Sequence, residues 1–199
     1  IIGSVFVSGL GLKFTQSVID LSGGVLFILL CLTAISAIIL GMGMTTTAVY
    51  ITVAALIVPS LIESGILPIA AHMFAFYFGV VSTITPPVAL ASFAGAAIAK
   101  SPPMSTAVES SKVGIAKYIV PFAFVYNPSL LMEGPIIWSL YSLVAVLLAY
   151  WLMTLGLEGW FNGKLNLYKR ALVLLGSITL LIPPLMTIYG LEGFHYNFF

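Results

Sequence analysis

The sequence predicts an all-α polytopic membrane protein, and three observations predict it. Of its 199 residues 61% are hydrophobic, and 7% are charged, seven basic and six acidic. A soluble domain carries roughly 25% charged residues, so this chain could not cover a water-facing surface. The apolar residues gather in long uncharged runs; they do not alternate with period 2 over about 10 residues, as barrel strands would. Backbone groups in lipid must be satisfied internally, which leaves helices as the default for such runs. Disorder needs low hydrophobicity with high charge and is excluded. A net charge of +1, with no basic cluster longer than Lys169-Arg170, carries no nucleic-acid signal. Cys31 is the single cysteine, so neither a disulfide framework nor a thiolate metal site is expected.

A membrane helix takes about 20 mostly apolar residues. A short apolar remnant covers 1–12, and with no basic leader before Ile1-Ile2-Gly3 the chain reads as a fragment of a longer protein, not as a signal peptide. Uncharged runs follow over 21–40, 47–62 and 68–99, then 115–132, 135–157 and 171–191. Lys and Arg set sidedness. Lys100, Lys112 and Lys117 form one cluster, Lys164, Lys169 and Arg170 a second, and two passages between them put both in the cytoplasm. Glu63, Glu133 and Glu192 then fall outside, with Lys13 as the exception, and Trp138, Trp151 and Trp160 lie near span ends. The segment 101–117, with Pro102, Pro103, Glu109 and Lys112, reads either as an amphipathic interfacial helix or as a connecting loop.

Two interruptions matter most. Gly41-Met42-Gly43-Met44-Thr45-Thr46-Thr47 splits an apolar stretch over 21–62. Glycine costs about 1 kcal/mol against alanine in a helix, and threonine hydroxyls compete for backbone bonds. The result is either an exposed turn between two spans or the tip of a re-entrant hairpin. The lack of any charge favours the hairpin. The second interruption, Ser82-Thr83-Ile84-Thr85-Pro86-Pro87-Val88, lies inside the run 68–99. As one straight helix that run would reach about 48 Å, beyond a bilayer core of about 30 Å. Pro87 opposes the Thr83 carbonyl and Pro86 that of Ser82, and Thr85 is pushed out of the helical region. Carbonyls around 82–84 are thus expected to lose their helical partners, and with the neighbouring hydroxyls they form a hard-oxygen set suited to an alkali cation. Broken helices that bind ions near the midplane are a recurrent transporter design. A plain proline kink repaired by Ser and Thr is the alternative; the presence of two hydroxyl-flanked breaks favours the ion site.

Other candidates are weaker. His72 and Glu63 are too few for a metal site or proton relay, so structural hydrogen bonding is the simpler reading, although an intramembrane His is a functional candidate by default. His195 reads as solvated. Ser110, Ser111 and Lys112 lack a partner His for hydrolase chemistry, and with no catalytic constellation an enzyme is not expected. Tyr126-Asn127-Pro128 reads as a structural turn, Ala94 to Ala99 as small-residue helix packing, and the methionines as core filler.

The strings Leu40-Gly41-Met42-Gly43-Met44-Thr45-Thr46-Thr47-Ala48-Val49-Tyr50, Ala70-Ala71-His72-Met73-Phe74-Ala75-Phe76-Tyr77-Phe78, Ile84-Thr85-Pro86-Pro87-Val88-Ala89-Leu90-Ala91 and Val120-Pro121-Phe122-Ala123-Phe124-Val125-Tyr126-Asn127-Pro128 resemble a fused permease of the tripartite ATP-independent periplasmic (TRAP) transporters. The tail from Leu157-Glu158-Gly159-Trp160 through Arg170 is similar to the extra C-terminal helices of that type. The resemblance implies a sodium-driven importer in the bacterial cytoplasmic (inner) membrane, with elevator-type alternating access. A periplasmic binding protein would deliver a small organic solute, often a carboxylate. Residues 1–132 would be the second inverted repeat: hairpin 21–62, broken helix 68–99, interfacial segment 101–117 and helix 115–132. Residues 133–199 would be C-terminal transmembrane helices, and the first repeat would lie in an N-terminal part of the permease. The resemblance assigns sodium to Gly41, Gly43, Ser82, Thr85 and Val88, mostly through carbonyls with the Thr85 hydroxyl added. It assigns the substrate to Thr46, Thr47, Pro86 and Pro87. No cofactor is implied besides sodium as coupling ion, and the partners are the bilayer, the binding protein, the rest of the permease and the solute. Thr45 stands where the family usually has Pro, which bears on the rigidity of the tip. Position 82 is often Gly in relatives, which points to a backbone role there. An ion channel whose breaks form a filter, or a membrane scaffold without transport, are the alternative functions.

Overall fold

The computed structural model describes residues 9–133, 135–161 and 163–181. The expected remnant before residue 9, the end of the span over 171–191, Glu192 and His195 lie outside them. The elements among the described residues are all helices, with one isolated bridge between Trp160 and Lys164. They fall into two units, meeting between Val125 and Tyr126.

In the first unit, α1 (Leu10–Ser22) and α2 (Leu26–Gly41) are parted by Gly23 and Gly24, both at positive φ (57° and 77°). The run expected from residue 21 therefore starts at Leu26: two adjacent glycines adopt the left-handed conformation cheaply, and the chain turns there. The turn 42–45 leads into α3 (Thr46–Leu56), and α2 packs on α3 as a helical hairpin. The stretch 47–62, expected as one run, bends at Ile57 into α4 (Val58–Glu63). Pro59 explains the bend, because its ring opposes the Ala55 carbonyl and it has no amide hydrogen to give. Next come α5 (Pro68–Val81) and, after an interruption, α6 (Leu90–Ala99). Residues 103–113 form α7 (Pro103–Val113), so this segment is helical and not a loop. Its ion pair, Lys112 to Glu109 at 2.7 Å, is exposed and contributes little to stability.

Helix α5 is the centre of this unit and packs against α2, α3 and α4. Phe74 on α5 is fully buried with Leu29, Leu30, Val49, Val53, Ile57 and Leu61. Phe122 on α8 (Ala116–Tyr126) meets Phe74 edge-on at 5.4 Å between ring centres, Phe78 at 5.8 Å and Phe27 at 5.9 Å. Such pairs add about 0.5–1.5 kcal/mol each beyond burial. Helix α8 tolerates Pro121 but ends at Tyr126, short of the expected residue 132. Pro128 forbids a helical conformation at Asn127, which sits at φ −138° and ψ 81°.

In the second unit a short 3₁₀ turn (Pro128–Leu131) precedes α9 (Ile136–Glu158), which pairs with α10 (Leu167–Leu181). With 23 residues, α9 is the one described helix long and apolar enough to cross a membrane; at 1.5 Å per residue it reaches about 35 Å. Its exposed face is Ile136, Ile137, Leu140, Leu143, Val144, Leu147 and Trp151, and its buried face is Ser139, Ser142, Ala149, Met153 and Gly156. Apolar outside with small and hydroxyl residues inside is the pattern of a helix bathed in lipid. Asn127 Nδ2 donates to Ser142 Oγ at 2.8 Å inside this unit.

Gly159 closes α9 in the left-handed conformation, its amide donating to the Leu155 carbonyl. Arg170, from the first turn of α10, adds two bonds to the same end: Nε donates to Gly156 O at 3.0 Å and Nη2 to Leu157 O at 2.8 Å. A cation at a helix C-terminus complements the helix dipole. Arg170→Ala is expected to cost about 1–2 kcal/mol in thermal unfolding. Arg170→Lys should recover only part, since an ammonium lacks the planar fork.

Candidate functional site

The site is built where the two interruptions meet. Helix α2 ends at Gly41 because Met42 turns extended (φ −65°, ψ 124°) and Gly43 takes φ 78°. Gly41 is buried against the other interruption. A Cβ there would lie 2.5 Å from Ser82 Oγ, 2.9 Å from Ser82 Cβ and 3.1 Å from Gly79 O. Only glycine lets the end of α2 approach α5 so closely. Ser82, 1% exposed, donates its hydroxyl to Gly79 O at 2.6 Å.

Helix α5 stops at Val81 and α6 starts at Leu90, so the interruption expected from Pro86-Pro87 is present. The peptide between the prolines is cis. The carbonyls of residues 82–84, expected to lose their helical partners, do lose them and accept from other groups instead. Thr83 O accepts from the Ala91 amide at 3.0 Å, Ile84 O from Ser111 Oγ at 3.0 Å, and Ser82 O from the Thr85 amide at a long 3.4 Å. The prolines remove the helical donors to Ser82 and Thr83; the break itself, the start of α6 and the side of α7 supply donors to Ser82, Thr83 and Ile84 in turn. Ala89, fully buried at φ 26°, carries the chain into α6, a sparsely populated conformation of the kind that gathers at functional sites.

The Thr85 hydroxyl donates to Val81 O at 2.7 Å and lies 2.7 Å from the Tyr118 hydroxyl. Tyr118 Oη in turn lies 3.3 Å from Ser111 Oγ, which also reaches Ala107 O at 3.0 Å. Pro86, Val108, Ser111, Lys112, Ile115 and Tyr118 line an open hollow of about 290 Å³ beside this network. Apart from this, His72 Nδ1 on α5 lies 3.0 Å from the Tyr50 hydroxyl on α3, a hydrogen bond that ties the hairpin's second arm to α5.

The geometry thus joins Gly41 to Ser82, and Thr85 to two residues the sequence did not single out for the site, Tyr118 and Ser111. Gly43 is exposed, with no atom within 4 Å of a Cβ built there, and its φ of 78° is the conformation the turn requires of it. Thr46 and Thr47 are exposed on the first turn of α3. Pro86 and Val88 are half-buried and Pro87 is exposed. The signal available for Tyr118 was a phenol inside an apolar run. Its partner Thr85 stands 33 residues away.

The Gly41–Ser82 approach is testable. Gly41→Ala should destabilise the protein by about 1–3 kcal/mol, because the new methyl meets a buried hydroxyl and a backbone carbonyl. Gly95→Ala, where a Cβ meets nothing within 4 Å, should be neutral or gain up to about 1 kcal/mol as a better helix former. Thermal unfolding of the two variants side by side reads the difference.

The model of the family described as "Tripartite ATP-independent periplasmic transporter, DctM component" matches residues 1–139. The match takes in the hairpin, both interruptions and the start of α9. No curated protein and no solved structure matches the chain. Matched over most of its length and carrying both motifs in order, the chain belongs to the DctM family, the permease component of tripartite ATP-independent periplasmic transporters.

Proposed function

We propose that the chain is the second-repeat portion of a sodium-coupled importer of small organic, carboxylate-type solutes, with C-terminal membrane helices beyond residue 132. The family is one of transporter components and not of enzymes, and its periplasmic partner would deliver the solute. The observation that carries the reading is the contact of Gly41 with Ser82, which sets the hairpin turn against the helix break. Discontinuous helix ends meeting inside an apolar protein are how secondary transporters make ion and solute sites.

In this reading sodium sits between the turn and the break. Its ligands come from the carbonyls of Gly41, Gly43, Ser82 and Val88 and from the Thr85 hydroxyl. Backbone bonds to the carbonyls do not disqualify them, because a carbonyl oxygen has two lone pairs and an amide uses one. The solute lies alongside, towards Thr46, Thr47, Pro86 and Pro87. Occupancy by sodium favours the conformation that accepts solute, and an elevator-like movement of this part carries both across the bilayer of the inner membrane.

Thr85→Ala is expected to lower sodium-dependent uptake by the permease in proteoliposomes at least tenfold, a loss of about 1.4 kcal/mol or more in ion binding, with membrane expression unchanged. Undiminished sodium dependence would count against Thr85 as a ligand. Flux that needs no sodium and no binding protein would favour a channel.

A further inference from the structure

We propose that Tyr118 is a positioning residue for the Thr85 hydroxyl, aiming its oxygen at a cation held in the helix break. The inference deepens the sodium reading above and rests on it. Three hydroxyls meet here, those of Thr85, Tyr118 and Ser111, and each brings one proton. Thr85 Oγ1 lies 2.7 Å from Val81 O, and a carbonyl has no proton to give, so this contact takes the threonine proton. Ser111 Oγ lies 3.0 Å from Ile84 O and 3.0 Å from Ala107 O, so its proton goes to a carbonyl too. That leaves the 2.7 Å contact between Thr85 and Tyr118 with one proton available, the phenolic one. Ser111 Oγ, at 3.3 Å, is the weaker claimant for it.

Tyr118 therefore donates and Thr85 accepts. A threonine oxygen that gives its proton to Val81 O and accepts one from Tyr118 has a single lone pair left, and the two bonds fix its direction. A cation binds an oxygen lone pair, so a fixed lone pair is a prepaid ligand. Without the phenol, the Thr85 oxygen keeps its chemistry and loses this constraint. The residues that follow the break in sequence thereby act on the ion site without touching the ion.

The experiment measures thermal unfolding of the full permease in detergent against rising NaCl, with choline chloride holding ionic strength constant. Ligand binding to the folded state raises stability with a midpoint set by affinity. Tyr118→Phe is expected to move the sodium midpoint up about three- to tenfold, as loss of one hydrogen bond would. Thr85→Ala should abolish the sodium response, and adding Tyr118→Phe to it should change that response no further, since the two residues act as a unit. Thr85→Ser, which keeps the oxygen, should stay within about threefold of the parent, and its behaving like Thr85→Ala would overturn the hydroxyl premise even if Tyr118→Phe did not fold. An unmoved sodium midpoint in Tyr118→Phe, alongside a lost response in Thr85→Ala, would overturn the positioning role while leaving the sodium reading intact. A drop in melting temperature in choline alone, with the midpoint unchanged, would overturn that role equally. No sodium response in the parent protein would instead bring down the sodium reading itself.

Discussion

A backbone carbonyl that loses its helical donor in an apolar setting must find another donor in the protein, and the rest of this structure is arranged around that need. An unsatisfied buried polar group costs about 1–3 kcal/mol. The prolines at 86 and 87 take amide hydrogens out of the helical run. The Ala91 amide and the Ser111 hydroxyl then bind Thr83 O and Ile84 O. This repair draws α6 and α7 against the break, and α6 and α7 pack on each other. The break is thus a junction of several elements and not a local kink.

The same need explains the hydroxyls. Thr33, Ser36, Ser60, Ser82 and Thr83 each donate to a carbonyl three or four residues back in the sequence. These side chains take care of themselves, and a helix carrying them can face lipid or protein alike. Thr85 differs in having a partner from another helix besides Val81 O. In the second unit Asn127 pairs with Ser142, and the end of α9 is held by Arg170. Along α9, Ser139 and Ser142 face inward and the large apolar side chains from Ile136 to Trp151 face outward.

How much could be read from the sequence varies from residue to residue for physical reasons. The break at 82–89 was legible because proline acts through its own covalent structure, whatever surrounds it. The turn at 42–45 was legible because Gly43 is needed at positive φ. Gly23-Gly24 and Pro59 act by the same local rules, yet a reading that counts apolar residues in long windows passes over them, since hydropathy within 21–40 and 47–62 stays uniform. The fate of the carbonyls was not legible, because whether Thr83 O stays open depends on where α6 restarts, and whether Ile84 O does depends on the placing of Ser111. The pairing of Thr85 with Tyr118 was invisible for the same reason. Within an apolar run a tyrosine signals that its hydroxyl needs a partner, without saying which.

Full bonding around the break also bears on what the site could hold. A ligand set of unpartnered carbonyls would pull any available hydrogen donor into the gap, and the chain would collapse on it. Here each carbonyl from 82 to 84 has a donor within hydrogen-bond distance, and a carbonyl oxygen that accepts once keeps one lone pair in reserve. Such oxygens suit a weakly held, singly charged cation better than a divalent one, which would call for carboxylates to balance its charge. Among the described residues, no acidic side chain is a hydrogen-bond partner of the groups that meet at the break. In the proposed sodium-coupled cycle weak holding is what the ion would require, because it would bind on one side of the membrane and leave on the other. The scarcity of charge in the sequence and the neutral oxygens at the break thus go together: the polar groups that meet there are carbonyls and hydroxyls bonded to one another.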